Sequence, residues 1–321
     1  MRSTFVSFIA AAVLFAAIPA WASRQVRVYE ANVSSQTEAG VQAQAALRQV
    51  LVRATGARDA ANDPALAGVL AQASQYVLGT RPANNAGTVV TVLFDGAALE
   101  RDINAAGRTI WPSERRVVLI VLTGGPATGT FETRRQVEGV LEATASRRGL
   151  PVNTMRPEAV NLPATGDIPA DAALTAAQGA RADIALVGYG DAVPNGGTWR
   201  WVLSGSGINE TWNGSLEDGV HGAADFLSRN AVAIAAMPDQ SLLVEVEGVP
   251  TLKEYARAAE LLGSVTGVRS MQLSEAAGPR ATFALVTRGG IDGLQNALLA
   301  TSRFERIDPK AGGTIAFRYR P

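Results

Sequence analysis

Val117-Val118-Leu119-Ile120-Val121-Leu122 is an unbroken run of branched aliphatic side chains with no polar residue between them. A strand with one face in water alternates apolar with polar residues, so a continuous run predicts a strand covered on both faces, as in sheets built from βα units. The following residues agree with that reading. The loop Gly124-Gly125-Pro126-Ala127-Thr128-Gly129-Thr130 leads into a helical pattern carrying Val137, Val140 and Leu141, which ends at Arg147-Arg148-Gly149. Basic residues suit the negative end of a helix dipole, and the glycine suits a left-handed cap. An Ala-rich helix over 170–180, a strand over 184–189, a hairpin over 199–212 and a helix over 216–236 complete a middle α/β module, residues 113–238.

Downstream, Met237-Pro238-Asp239-Gln240 interrupts the pattern, and residues 239–321 open a new module. A strand over 242–249 is followed by Thr251 and Glu254, spaced as a capping box, and by Leu252, Tyr255, Ala259 and Leu262 on one helix face. Strands over 268–273 and 282–287, a helix with Ile291, Leu294 and Leu298, and a strand over 314–319 complete the order βαββαβ, a ferredoxin-like arrangement. Upstream, residues 23–112 read as an α+β module. Ser35 with Glu38 predicts a capping box, and Leu47, Val50, Leu51 and Ala54 form an apolar stripe that stops at Gly56. A short helix near Asp63-Pro64, a strand around Tyr76, a strand over 88–94 and a helix over 95–107 follow. The fold class is therefore α+β and α/β in three small mixed modules.

Residues 1–22 read as a signal peptide. Arg2 is the positive end, an almost uninterrupted apolar stretch runs over 5–18, and Ala20-Trp21-Ala22 offers small residues for cleavage after Ala22. The expectation is an exported, periplasmic protein with no membrane insertion after signal cleavage.

With 29 basic against 29 acidic residues, one His and no Cys, the chain is neither a basic nucleic-acid binder nor a disulfide scaffold, and it lacks a cysteine nucleophile. No cofactor, metal or catalytic residue is assigned. Hydrophobic residues at 47% against 18% charged supply ample core. The loop after Leu122 has the Gly124–Gly129 spacing of a phosphate loop, but Thr130 stands where lysine is required and Pro126 removes an N–H, so an ordinary turn is expected. Ser204-Gly205-Ser206-Gly207 has hairpin-turn rather than nucleophile-elbow spacing. His221, with Glu217 and Asp225 one turn away on either side, reads as a solvated helix face rather than a metal cluster. Glu245 and Glu247 point to one strand face, a carboxylate pair for a hydrolase or a solvated face with Arg269 or Arg318 across the sheet. Trp199, Trp201 and Trp212 are the binding candidates, either an indole platform for sugar rings or a protein partner, or core.

Ala46-Leu47-Arg48-Gln49-Val50-Leu51-Val52-Arg53-Ala54-Thr55-Gly56, Phe94-Asp95, Trp111, Arg148-Gly149-Leu150-Pro151, Ala182-Asp183, Leu186-Val187-Gly188 and Trp199-x-Trp201 stand in this order along the chain. Together they resemble the exported proteobacterial domain-of-unknown-function 2066 family. The resemblance implies export and an envelope role and transfers no site. The middle module is also similar, in element order only, to the amino-terminal domain of the Tol translocation protein and to lipoprotein activators of peptidoglycan synthases. The expected function is non-enzymatic binding of another envelope protein or assembly. Peptidoglycan binding through Trp199, Trp201 and Trp212 is the alternative, and a carboxylate-dependent hydrolase the third reading.

Overall fold

The computed structural model describes residues 23–320 apart from 125–129, 191–196, 308–313 and the single positions 206, 236, 266 and 302. Its architecture is α+β, with helices packed on mixed and antiparallel sheets. The first core is built by β1 (Ser23–Gln25), β2 (Glu30–Ser34), α1 (Ala39–Thr55), α2 (Ala67–Ala71), β3 (Val77–Pro82), β4 (Val89–Phe94) and α3 (Gly96–Ala105). Strands β2, β4 and β3 form an antiparallel sheet in that order. The stripe Leu47, Val50, Leu51 and Ala54 on α1 is fully buried with Leu99 and Ile103 of α3. Each large aliphatic side chain buried this way contributes about 1.5–3 kcal/mol.

One local expectation needs correction. The Ser35–Glu38 capping box is not formed: α1 starts at Ala39 without a side-chain cap, and the Ser35 hydroxyl instead donates to the Gly87 carbonyl at 2.7 Å. Ser35 thus ties the helix approach to the β3–β4 turn. Tyr76 closes a 3-10 turn ahead of β3, with its hydroxyl donating to Asp102 at 2.7 Å.

The middle core contains β5 (Glu114–Arg116), β6 (Val118–Gly124), α4 (Phe131–Arg148), β7 (Val152–Thr154), α5 (Ala170–Gly179), β8 (Ile184–Gly190), β9 (Trp199–Gly205), β10 (Ile208–Gly214) and α6 (Leu216–Ala235). The main sheet has the order β10-β9-β8-β6-β7, parallel across β7, β6 and β8 and antiparallel beyond. Alternate residues of the run 117–122 serve two cores. Val118, Ile120 and Leu122 pack with α4 and α6, whereas Val117, Leu119 and Val121 meet the alanines of α5. Period-two side-chain alternation explains why the run carries no polar residue. The phosphate-loop candidate falls largely outside the described residues; its described end, Thr130, caps α4 by accepting the Thr133 N–H.

The last core comprises β11 (Gln240–Glu247), α7 (Leu252–Gly263), β12 (Val268–Ala277), β13 (Arg280–Thr287), α8 (Gly290–Ala300), β14 (Phe304–Ile307) and β15 (Thr314–Tyr319). The Thr251–Glu254 capping box is present. The sheet order is β12-β13-β11-β15-β14. This corrects the ferredoxin-like βαββαβ expectation by one strand. Crossover α8 delivers β14 to the sheet edge, and the chain then turns back so that β15 enters beside β11 and runs parallel to it. A single final strand would run antiparallel there. Among the described residues no helix is long and apolar enough to cross a membrane.

Candidate functional site

The first and middle cores meet at a seam fastened by arginines. Strand β1 pairs antiparallel with β5, so Ser23–Gln25 lies beside Glu114–Arg116. Arg115 is 2% exposed, with its guanidinium over the Trp111 ring at 3.7 Å. It donates to five carbonyls drawn from both sides of the seam: Pro112 at 2.8 Å, Gly149 at 2.7 Å, Arg148 at 3.4 Å, Arg53 at 2.6 Å and Trp111 at 3.2 Å. Planar guanidinium geometry, with five donors in a fixed fork, suits such a convergence of oxygens. Burial lowers the Arg115 pKa to about 9, which leaves it charged at neutral pH.

Arg148, 1% exposed, is the second fastener. It donates to the Gly56 carbonyl at 2.7 Å, to Asp225 at 2.5 Å and to Nδ1 of His221 at 2.9 Å. Arginine offers donors only, so Nδ1 is the accepting nitrogen and Nε2 carries the proton. Burial, then the Arg58 and Arg148 guanidinia, push the imidazole pKa down to about 4 against the pull of Asp225 and Glu217. Close backbone approach makes glycine necessary at Gly56, where φ is +73° and an added Cβ would lie 2.3 Å from Cβ of Ser228.

Beside this seam lies a cleft of about 700 Å³. Its walls carry Arg24, Arg27, Arg53 and Arg81, with Glu30 as the one acidic residue, so three positive charges are in excess. Glu30 bridges two of the arginines, accepting from Arg27 at 3.3 Å and Arg81 at 2.7 Å. Arg53 forms the floor: it donates to the Glu30 carbonyl at 2.7 Å and to Gln49 at 3.3 Å, while its buried Nε has no partner. Arg27 and Arg81, 73% and 48% exposed, hold donors toward solvent. A concave site with convergent guanidinia favours carboxylate or another planar anion. These arginines are scattered over residues 24–81, and no spacing marks them in the sequence.

The three indoles named from the sequence are brought together, but inward. Trp199 and Trp201 stack with centroids 5.7 Å apart and are buried in the core. Trp201 donates its N–H to the Ser215 carbonyl at 3.1 Å, and half-buried Trp212 donates to the Asp218 carbonyl at 3.0 Å. Helix α6 rides directly on them: a Cβ at Gly219 would lie 2.2 Å from Trp201 and one at Gly222 2.5 Å from Trp212. They do not form an open sugar-stacking platform. The placement of His221 on a solvated face also needs correction, because the seam covers it; Asp225 is taken by Arg148 and Glu217 by Arg147. Among the described residues no three His, Asp or Glu side chains are grouped to hold a metal. Glu245 and Glu247 lie on a sheet face outside the cleft, paired with Arg280 at 3.7 Å and Arg318 at 3.6 Å. Opposite charges across neighbouring strands explain that spacing without chemistry.

No curated protein and no solved structure matches the chain. A family model described as a domain of unknown function, DUF8605, matches residues 22–112. The matched stretch supplies Arg24, Arg27, Arg53 and Arg81, and the facing wall, Ser146 and Gly149 to Pro151, comes from beyond it.

Proposed function

We propose that the protein is exported to the periplasm, with its leader removed after Ala22, and acts there as a non-enzymatic binding protein. Its arginine-lined cleft takes an acidic segment of another envelope protein or assembly. The observation that carries this reading is the surplus of three positive charges in one cleft of a chain whose total charge is zero. The resemblance to the domain-of-unknown-function 2066 family supports the envelope address. The side chains with catalytic potential support the non-enzymatic part: His221 is engaged by Arg148, and Glu245 and Glu247 face arginines on a sheet surface.

Photo-crosslinking from the cleft rim in intact cells tests the reading. The expected result is a reproducible protein adduct that is lost in Arg27→Glu/Arg81→Glu and retained in Arg318→Glu. Equal adducts in both variants, or an uncut leader in the cytosolic fraction, would overturn it. Sedimentation with purified sacculi that depends on the same two arginines would also overturn it, in favour of peptidoglycan.

A further inference from the structure

The arginine-lined cleft already holds a carboxylate, and it belongs to the chain itself. Glu30 accepts from Arg27 at 3.3 Å through one oxygen and from Arg81 at 2.7 Å through the other, so a single planar anion spans two guanidinia. Those arginines stand on separate segments, Arg27 ahead of β2 and Arg81 near the end of β3. Both are exposed, and ion pairs at such exposure are screened by water and add little to stability. The fasteners of the seam differ in kind, since Arg115 and Arg148 are buried and donate to carbonyl oxygens. The backbone of Glu30 is anchored without help from its side chain: it pairs with Leu93 of β4, and its carbonyl accepts from Arg53 at 2.7 Å. The carboxylate can therefore leave the two arginines while β2 stays in register.

A carboxylate arriving from outside meets the same two-oxygen geometry, which converging guanidinia select. It has only two exposed ion pairs to displace, and displacement takes away the one negative charge among the described residues of the cleft walls. We infer that Glu30 is a built-in competitor: its side chain occupies the place between Arg27 and Arg81 that a carboxylate of the acidic segment takes, and it keeps the cleft self-occupied until that exchange. Such an exchange presupposes that the cleft takes an acidic segment, as proposed above. One incoming carboxylate merely replaces one already present, so net attraction depends on further carboxylates that reach Arg24 and Arg53 in the same cleft. The ligand class narrows accordingly to segments with several acidic side chains.

The test is binding of a fluorescent, end-blocked hexaglutamate peptide, followed by anisotropy, with circular dichroism verifying the fold of each variant. Glu30→Gln should bind the peptide about tenfold more tightly than the unaltered chain. Glu30→Asp keeps the charge but is one methylene shorter, so it should lose the bridge and bind about threefold more tightly. Glu114→Gln removes an equal charge on neighbouring β5, outside the cleft, and should change affinity less than about twofold. Glu30→Gln or Glu30→Asp binding no tighter than the unaltered chain would overturn the inference and assign Glu30 to holding the arginines in place. An equal gain in Glu114→Gln would reduce the effect to net charge and overturn it as well. In either case, loss of binding in Arg27→Glu/Arg81→Glu would still uphold the cleft. Binding that survives Arg27→Glu/Arg81→Glu, or is absent from the unaltered chain and both Glu30 variants alike, would overturn the cleft and the competitor together.

Discussion

The two junctions between the cores are made by different means. First and middle cores are joined through long-range polar bonds: β1 to β5, Arg115 and Arg148 to opposite carbonyls, and the Trp111 N–H to the Ala54 carbonyl at 2.7 Å. The middle and last cores approach through small residues, with Gly207 3.4 Å from Ala297 and Gly267 3.5 Å from Ile234, measured from the Cβ each glycine lacks. Buried charged groups that lose their hydrogen-bond partners are costly, which makes the first junction specific in geometry and costly to disturb. Small apolar contacts place weaker demands on register. The difference means that the first and middle cores should unfold together, with the last core more independent.

The largest blow to this asymmetry is Arg148→Ala, which leaves Asp225 without its partner and the Gly56 carbonyl with only the Ser228 hydroxyl at 3.4 Å. Urea unfolding followed by circular dichroism should show a loss of about 3–5 kcal/mol in the shared transition of the first two cores. Gly56→Ala should cost about 2 kcal/mol or more, from the left-handed backbone and the Ser228 clash together. Adding Ser228→Gly should recover the steric part alone. Thr251→Ala removes the capping box of α7 and should cost about 1 kcal/mol, confined to the last core. If that change moved the shared transition equally, the independence of the last core would be refuted.

The first junction should also carry a pH dependence. The folded pKa of His221 is about 4, below the ordinary value, so the folded state holds the imidazole neutral. Stability from this group is complete above about pH 6.5 and is lost as pH falls toward 4. Arg58, Arg148, Asp225 and Glu217 face the ring. Thermal melts of His221→Gln against the unaltered chain across that window should show a shallower decline for the variant.

Much of the fold could be read from local pattern, because the determining forces were local. The run at 117–122, the stripe on α1, the Gly56 and Gly149 caps and the Thr251 box each declare themselves within a few residues. Strand β14 was missed because Phe304-Glu305-Arg306-Ile307 is short and half charged, and its place depends on a reversal rather than on periodicity. The β1–β5 pair joins polar stretches roughly ninety residues apart in the chain, beyond the reach of alternation. Arg148 illustrates the limit for the site. Its position at a helix end before glycine accounts for its charge, yet its function as a fastener appears only when Gly56 and Asp225 are brought to it. The indoles show the reverse case, since the clustering was legible and the direction they face was decided by Gly219 and Gly222 on a helix later in the chain.

The tryptophans have one practical consequence. Four of the five, Trp111, Trp199, Trp201 and Trp212, belong to the seam and the middle core, and residues 239–321 contain none. Intrinsic indole emission therefore reports the melting of one part of the molecule and is blind to the rest, where Tyr255 and Tyr319 are the native chromophores.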